Sequence, residues 1–203
     1  MKRIRTSSPI LALALLAALF AGTPGLTVLK AETESGSPYS LDRSRSKIQF
    51  FVDAKLVDVK GYFRSYRLDQ FEYDGKNPES MKGGILIWPA SVFTRDKDRD
   101  EHLRQDDFFW VEKYPTSRVS LKKVTRREDG AYDFLISLQI RDKVKDYTVP
   151  TKISSSGGRT YIEGSFKVDR TDFDLNGEHV ANLVMDNEVE LSYVIAIQDT
   201  RQN

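Results

Sequence analysis

The sequence predicts an all-β domain in which eight short antiparallel strands close into a barrel or pack as a sandwich. Three observations lead to this prediction. Apolar and polar residues alternate with a period of two along most of the chain after Lys47, and dipeptides that favour turns separate the alternating stretches. Helical character is confined to one or two short segments.

The alternating residues define the eight strands. In chain order, the residues on their predicted inward faces are Ile48, Phe50 and Val52; Val57, Val59, Gly61 and Phe63; Gly83, Ile85 and Ile87; Val119 and Leu121; Tyr132, Phe134, Ile136, Leu138 and Ile140; Tyr147, Val149 and Ile153; Ile162, Phe166 and Val168; and Val189, Leu191, Tyr193, Ile195 and Ile197. Three dipeptides between the strands tolerate the positive φ of tight turns: Asp74-Gly75, Asp129-Gly130 and Gly157-Gly158. Gly61 and Gly164 face inward, where a missing side chain permits a bend or leaves room for a ligand.

The N-terminus has the layout of a secretory signal peptide. Lys2, Arg3 and Arg5 precede a short apolar run, Ile10–Ala21, which is shorter than the roughly 20 residues of a membrane-spanning helix. We therefore expect export to the periplasm, with cleavage near Ala31. The predicted organisation is a signal peptide at 1–31, a flexible lead-in at 32–38, the barrel domain at 39–199 and a polar tail at 200–203.

Composition restricts the partners of the mature chain. The absence of cysteine excludes disulfides and a lipid-modified export signal, so the core alone must stabilise the fold. Cleavage after Ala31 removes four of the 31 basic residues and leaves 27 against 30 acidic ones, a net charge of minus three. This charge argues against nucleic acid as a partner, because neutralising phosphates requires a clustered basic patch.

An exported barrel can also be an outer-membrane protein, whose apolar face points outward between two aromatic girdles. Alternation alone does not distinguish inside from outside. The turns of this chain lack paired aromatic rows, and charged residues such as Lys122, Arg141, Lys167 and Glu190 lie along the polar faces as on a solvated exterior. These features favour the soluble barrel, whose interior either is filled by side chains or holds one small ligand.

The segment from Thr94 to Pro115 changes from charged to aromatic within a few residues. We expect a short helical turn from Arg99 to Arg104, with the Asp100 carboxylate near its start. Phe108 and Phe109 then require burial. Spaced aspartates in this segment superficially resemble a calcium loop, but the required glycine is absent. His102 is expected to form a hydrogen bond within its own loop, and neither a metal site nor a cofactor is predicted.

The order of motifs resembles the YceI-like family of periplasmic lipid-binding proteins. The residues that resemble the family's central motif are Arg99, Asp100, His102, Leu103, Phe108, Phe109, Tyr114 and Pro115. The other similar elements are Tyr39, Leu41, Asp42, Ser46, Ile48, Phe50 and Val52 at the start; Val59, Gly61 and Phe63 next; and Val168, Arg170, Asp172, Phe173 and the strand Val189–Ile197 near the end. Arg45, Asp174 and the stretch Leu138–Asp142 depart from the family pattern at strand ends and turns.

The resemblance implies an eight-stranded, lipocalin-like antiparallel barrel with one or two short helical segments at its mouth. It further implies a cavity for a long-chain lipid, such as a polyisoprenoid, a quinone-like molecule or a fatty amide or acid. Burial of methylene groups would supply the affinity, and no catalytic residue is required. We expect the cavity to be lined by Phe50, Val52, Phe63, Ile85, Phe134, Ile136, Leu138, Val149, Phe166, Leu191 and Tyr193, with Phe108 and Phe109 at or near the mouth.

The predicted function is that of an exported lipid carrier or reservoir without enzymatic activity, which makes transient contact with membranes. The alternative is a filled-core barrel that acts as a stress-related or partner-binding module, and a hydrolase is the third option. No Gly-x-Ser-x-Gly element supports the hydrolase. A homodimer is compatible with a barrel of this type, but the sequence offers no apolar patch for it.

Overall fold

A computed structural model describes residues 37–54, 58–177 and 185–202. The predicted signal peptide, most of the lead-in and Val57 of the second predicted strand lie outside these residues, as do residues 178–183, where the sequence allows a second short helical segment. The strands are β1 (Tyr39–Leu41), β2 (Lys47–Ala54), β3 (Val59–Phe63), β4 (Tyr66–Glu72), β5 (Lys82–Ile87), β6 (Val92–Phe93), β7 (Ser117–Arg126), β8 (Tyr132–Ile140), β9 (Lys143–Ser156), β10 (Arg159–Asp169) and β11 (Met185–Asp199). Helix α1 spans Lys97–Leu103, and short 3-10 turns cover Pro78–Ser80, Pro89–Ser91, Arg170–Phe173 and Thr200–Gln202.

All strands belong to one antiparallel sheet that curls into a barrel. The order of strands in the sheet is β4-β5-β7-β8-β9-β10-β11-β2-β3-β6, and β1 pairs with the C-terminal end of β11. Strand β4 is at one end of this order and β3 is next to the strand at the other end, β6; only Arg64 and Ser65 separate β3 from β4, so the chain itself brings the two ends together. The Arg43 guanidinium donates to the carbonyl of Tyr66 on β4 at 2.7 Å, which joins the β1–β2 connection to that end. The predicted antiparallel barrel is confirmed.

The structure contains eleven strands where the alternation predicts eight, because β1, β4 and β6 are short or irregular. In β4 the buried residues are Tyr66, Leu68 and Phe71, so the period of two is interrupted after Leu68. Gln70 has a φ of 47°, and the pairing with β5 shifts in register at this point. This bulge conceals β4 from a search for strict alternation.

Alternate residues of the long strands point to opposite sides of the barrel wall. On β8, Phe134, Ile136 and Leu138 are buried, whereas Gln139 is exposed. Among the described residues, Val144 is the large apolar side chain that remains exposed, at 56%. The apolar faces are therefore inward and the charged faces outward, as predicted. No helix in the described part of the chain is long and apolar enough to cross a membrane.

Two clusters of buried side chains occupy the two ends of the barrel. The first surrounds Tyr39, whose ring packs edge-on against Phe71, with the ring centroids 6.1 Å apart, and at a tilt of 41° against Tyr73 at 5.4 Å. The second surrounds Phe108 and Phe173, which come from the segments that follow α1 and β10. Aromatic side chains thus contribute to both clusters.

Helix α1 begins before the predicted position. Asp96, rather than Asp100, is the N-cap, and its carboxylate accepts from the backbone N–H groups of Asp98 and Arg99 at 3.1 and 3.0 Å. Asp100 is buried at 6% exposure and accepts from both the N–H and the hydroxyl of Thr94 at 2.7 Å. The Asp100 carboxylate therefore attaches the helix to the loop that precedes it.

We predict that Asp100→Ala lowers the free energy of unfolding by about 1–3 kcal/mol, because it leaves the buried Thr94 N–H and hydroxyl without their acceptor. Urea unfolding followed by circular dichroism measures this change. Asp106→Ala is the matched control, since Asp106 is exposed in the same segment and should change stability by no more than about 0.5 kcal/mol. Equal stability of the two variants would contradict the assigned role of Asp100.

Candidate functional site: an apolar cavity inside the barrel

The barrel encloses an apolar cavity of about 210 Å³. Its walls come from β2, β3, β4, β5, β7, β8, β10 and β11, and α1 and the residues after β10 form one end. The polar side chains that reach it are Ser117, Ser192, Arg170 and Tyr193. Because nearly all of the lining is hydrocarbon, the cavity suits an uncharged apolar chain.

Twelve of the thirteen residues predicted for the site line this cavity. They are Phe50, Val52, Phe63, Ile85, Phe108, Phe109, Phe134, Ile136, Leu138, Phe166, Leu191 and Tyr193. Val149 does not line it: the side chain is fully buried, at 0% exposure, among the apolar residues of the first cluster, which cover it. That the twelve contact a ligand stays a prediction.

The structure adds lining residues that the sequence analysis did not select. Leu68 and Phe71 come from β4, which was missed because of its bulge. Leu103 comes from α1, and Phe173 and Leu175 come from the segment after β10. Ile48, Ile87, Val119 and Ile195 belong to the predicted inward faces and could have been included on that basis.

Phe108 and Phe109 lie at the end of the cavity, as expected. Phe108 is 5% exposed, and its ring meets the edge of the His102 imidazole at 5.1 Å. Phe109 packs edge-on against Phe63 of β3 at 5.7 Å. His102 Nε2 lies 2.8 Å from a carboxylate oxygen of Asp107, which confirms the hydrogen bond expected within its own loop.

Arg170 is a buried cation at this end, with 4% exposure. Its guanidinium donates to the carbonyls of Leu175 and Asn176 at 2.6 and 3.0 Å, to the carbonyl of Asp186 at 3.1 Å and to the Asn187 side-chain oxygen at 3.0 Å. Burial lowers the pKa of Arg170 from its ordinary value. The residue holds the chain leaving β10 against the start of β11.

Opposite charges recur in two separate motifs, at Arg99 and Asp100 and at Arg170 and Asp172, and this recurrence predicts one ion-pair network. Their described contacts fall into separate sets instead. Arg99 donates to the Thr94 hydroxyl and carbonyl at 2.8 and 3.0 Å, beside Asp100. Asp172 accepts from Lys145 at 2.9 Å on the exposed surface. The charge of Arg170 alone did not predict that its guanidinium donates hydrogen bonds to backbone carbonyls.

The two inward-facing glycines leave space that aromatic side chains fill. A Cβ at Gly61 would lie 2.2 Å from the Phe50 ring, and one at Gly164 would lie 2.6 Å from the Tyr193 oxygen. Neither space is therefore open to a ligand. Burial raises the pKa of Tyr193 to about 12, so its hydroxyl keeps its proton at all ordinary pH values.

The departures from the family pattern lie at positions that shape the end of the barrel. Asp174 follows the 3-10 turn with a φ of 56°, a left-handed conformation that suits the glycine usual in the family. Arg141 also has a φ of 56°, and it donates to the carbonyls of Phe108 and Asp174 at 3.1 and 2.8 Å. Arg45 is exposed and pairs with Asp42 at 3.2 Å. These substitutions leave the barrel intact.

Within residues 37–54, 58–177 and 185–202, no group of three or more histidine, cysteine or acidic side chains is placed to hold a metal ion. Asp96, which belongs to the spaced aspartates, instead caps α1. The site chemistry that the described residues support is apolar burial with a few hydrogen-bonding groups at the wall.

We predict that Arg170→Lys lowers the free energy of unfolding by about 2–4 kcal/mol, because one ammonium group cannot reach the acceptors that the planar guanidinium joins. Urea unfolding monitored by tryptophan fluorescence measures the loss. Lys167→Met is the control on the neighbouring exposed surface, where water screens its pair with Glu188 and the pair contributes little to stability. A loss for Arg170→Lys no larger than that of the control would contradict this assignment.

The sequence of this barrel is similar to those of known proteins. A family model described as the YceI-like domain matches residues 39–197. A UPF0312 protein of Pseudomonas savastanoi pv. phaseolicola is 24% identical over 190 residues, which cover 88% of this chain and 96% of that protein.

Two solved structures share the architecture. BcnA of Burkholderia cenocepacia aligns with a TM-score of 0.71 at 20% identity, over 77% of this chain and 98% of that chain. A polyisoprenoid binding domain from Saccharophagus degradans, implicated in plant cell wall breakdown, aligns with a TM-score of 0.64 at 18% identity, over 80% and 98% of the two chains. These likenesses show a common fold. Because the family model spans nearly the whole barrel, the resemblance seen in the sequence motifs is confirmed, and the chain belongs to the family of YceI-like domains.

Proposed function

We propose that this protein binds one long, slender apolar molecule inside the barrel and shields it from water, as a carrier or reservoir. The observation that supports this most directly is the enclosed cavity of about 210 Å³ with hydrocarbon walls. Its volume is below the roughly 300–1,000 Å³ of pockets that hold drug-sized ligands, so an extended chain fits better than a bulky ring system.

The energetic cost of an empty cavity favours a ligand over the filled-core alternative. Closed, dry cavities in protein cores destabilise by roughly 24 cal/mol per Å³, so about 210 Å³ without water or ligand would cost at most about 5 kcal/mol. This is a large share of the roughly 5–15 kcal/mol that stabilises a typical domain. A bound chain recovers the loss, since each buried methylene contributes about 0.8 kcal/mol before ordering costs.

The comparisons support a lipid as the ligand class. The structural neighbour from Saccharophagus degradans is a polyisoprenoid binding domain, and it shares the fold of this chain. Fold similarity at 18% identity does not transfer the ligand, so the lipid class rests on this support together with the cavity. The proposal requires no catalytic step, because apolar burial alone performs the binding.

Export to the periplasm is part of the proposal, and it rests on the N-terminal pattern of basic residues followed by the short apolar run Ile10–Ala21. A periplasmic carrier must make transient contact with a membrane to load and release its ligand. Intact mass measurement of the protein recovered from the periplasmic fraction tests export, with removal of the first 31 residues as the expected result.

We predict that the mature protein, purified without detergent and extracted with organic solvent, releases a long-chain lipid in near-stoichiometric amount. Mass spectrometry of the extract identifies it. The same extraction applied to a periplasmic protein without a cavity controls for lipid carried over from membranes. A repeatedly empty extract, together with no uptake of added prenyl or acyl lipids, would overturn the proposed function.

We also predict that Leu191→Trp reduces uptake of added lipid by roughly tenfold or more while the barrel stays folded, because the indole occupies the cavity. Lipid uptake is measured by native mass spectrometry, and folding by circular dichroism. Glu190→Trp is the matched control, because the neighbouring residue on β11 faces outward and is exposed. Unchanged uptake by a folded Leu191→Trp protein would contradict binding in this cavity.

A further inference from the structure

The outer face of β2, β3 and β6 carries three aromatic rings that lie outside the cavity. Phe51, Tyr62 and Phe93 are half-buried, and none of them lines the cavity. Tyr62 and Phe93 are partners across β3 and β6, with their ring centroids 5.3 Å apart. The strand neighbours Phe50 and Phe63 do line the cavity, so the alternation of side chains places the three rings on the outside of the wall.

A cation lies over each of these rings, as in cation–π contacts. The three pairs, with the distance from the charged group to the ring centre, are Lys60 and Phe51 at 5.3 Å, Lys47 and Tyr62 at 5.6 Å, and Arg64 and Phe93 at 3.7 Å. We call these six residues the outer patch. It combines apolar area with positive charge on one side of the sheet.

The three cations of the outer patch have no acidic partner. All are exposed, and none forms an ion pair with a carboxylate in the part of the chain that the structure describes. The strand register places one acidic side chain, Glu190 of β11, directly opposite a patch residue, Phe51. Positive charge therefore exceeds negative charge on this face, although the chain after Ala31 has a net charge of minus three.

A second group of rings and cations follows α1, but acidic side chains offset its charge. Lys113 lies 4.2 Å from the centre of the Trp110 ring, and the Arg141 guanidinium lies 5.4 Å from it. Glu112 and Asp142 are exposed beside these two cations in the sequence. This second group therefore lacks the excess of positive charge that distinguishes the outer patch.

The outer patch borders the seam between the two ends of the sheet. In the described sheet, β6 pairs with β3 alone and β4 pairs with β5 alone. Phe63 of β3 and Leu68 of β4 line the cavity on the two sides of this seam. A surface that contacts the outer patch therefore lies beside a part of the wall that the described strand pairing does not close.

We propose that the outer patch is the surface by which the protein docks on an anionic phospholipid membrane. Aromatic side chains favour the boundary between head groups and acyl chains, and lysine and arginine are attracted to anionic head groups. This inference rests on the proposed function, because it names the surface for the membrane contact that loading and release of a lipid require.

The test measures co-sedimentation of the mature protein with phosphatidylcholine vesicles, with and without phosphatidylglycerol as the anionic lipid. We expect binding to the anionic vesicles and at least about tenfold weaker binding to the neutral ones. Salt at about 1 M, where the Debye length is about 3 Å, should weaken binding to the anionic vesicles to a similar extent.

Lys60→Glu should weaken binding to anionic vesicles by roughly tenfold or more, because one lysine near such a surface contributes about fivefold and the substitution reverses its charge. Tyr62→Thr, which keeps a residue that favours strands, should weaken binding by about three- to tenfold through loss of the ring. Glu190→Lys should strengthen binding by roughly tenfold and so tests the surface without removing any contact of the patch.

Lys113→Glu is the matched control, because it makes the same charge change at a cation that also lies over aromatic rings. It should change binding by less than about threefold, since it lies outside the outer patch. Circular dichroism confirms that each variant is folded. A loss for Lys113→Glu as large as that for Lys60→Glu would contradict the proposal, because net charge rather than the patch would then decide binding.

Three further results would also contradict it: no binding to anionic vesicles, unchanged binding by a folded Tyr62→Thr protein, or equally tight binding to dextran sulfate, a polyanion without a bilayer. Lipid extraction from the same preparations separates the two proposals. A protein that yields lipid but does not sediment with anionic vesicles would overturn this inference alone. A protein that sediments through the outer patch but neither yields nor takes up lipid would overturn the proposed function and leave the docking surface in place.

Discussion

The register of β11 with its two neighbours is the constraint on which the rest of the structure depends. This strand pairs with β10 along one edge and with β2 and β1 along the other, and the pairing sets which of its residues face inward. A slip by one residue would turn the exposed Glu190 toward the cavity in place of Leu191. The position of Gly164 opposite Tyr193 follows from the same register.

Aromatic side chains surround a partly open cavity in the centre of the barrel. Tyr39 and Phe71 occupy one end, and Phe108 and Phe173 occupy the other. Each end is held by polar contacts that hydrocarbon packing could not provide: Asp100 accepts from Thr94 beside α1, and Arg170 joins the segments around β10 and β11. These contacts hold the aromatic residues in place while the space between them stays available to a ligand.

The strands with strict alternation were predictable because side chains of β-strands alternate between faces and only one face is buried here. Prediction failed where the backbone departs from that period, as at Gln70 in β4. It also failed at the start of α1, where both Asp96 and Asp100 were possible N-terminal acceptors and Asp96 is the N-cap. Most of the cavity lining followed from the alternation. Alternation identifies the inward face but not which side chains are covered by neighbours, and the fully buried Val149 is therefore absent from the cavity wall.

The amino-acid order alone was sufficient for the strand-rich architecture, its inward faces and the family, because these depend on local periodicity and short motifs. Only the folded chain decides which side chains form the cavity wall. Phe50 fills the space over Gly61, and Tyr193 fills that over Gly164 and bonds to Thr151, a residue 42 positions away in the sequence. Such contacts arise from pairing between distant strands, whose register is set by the whole sheet.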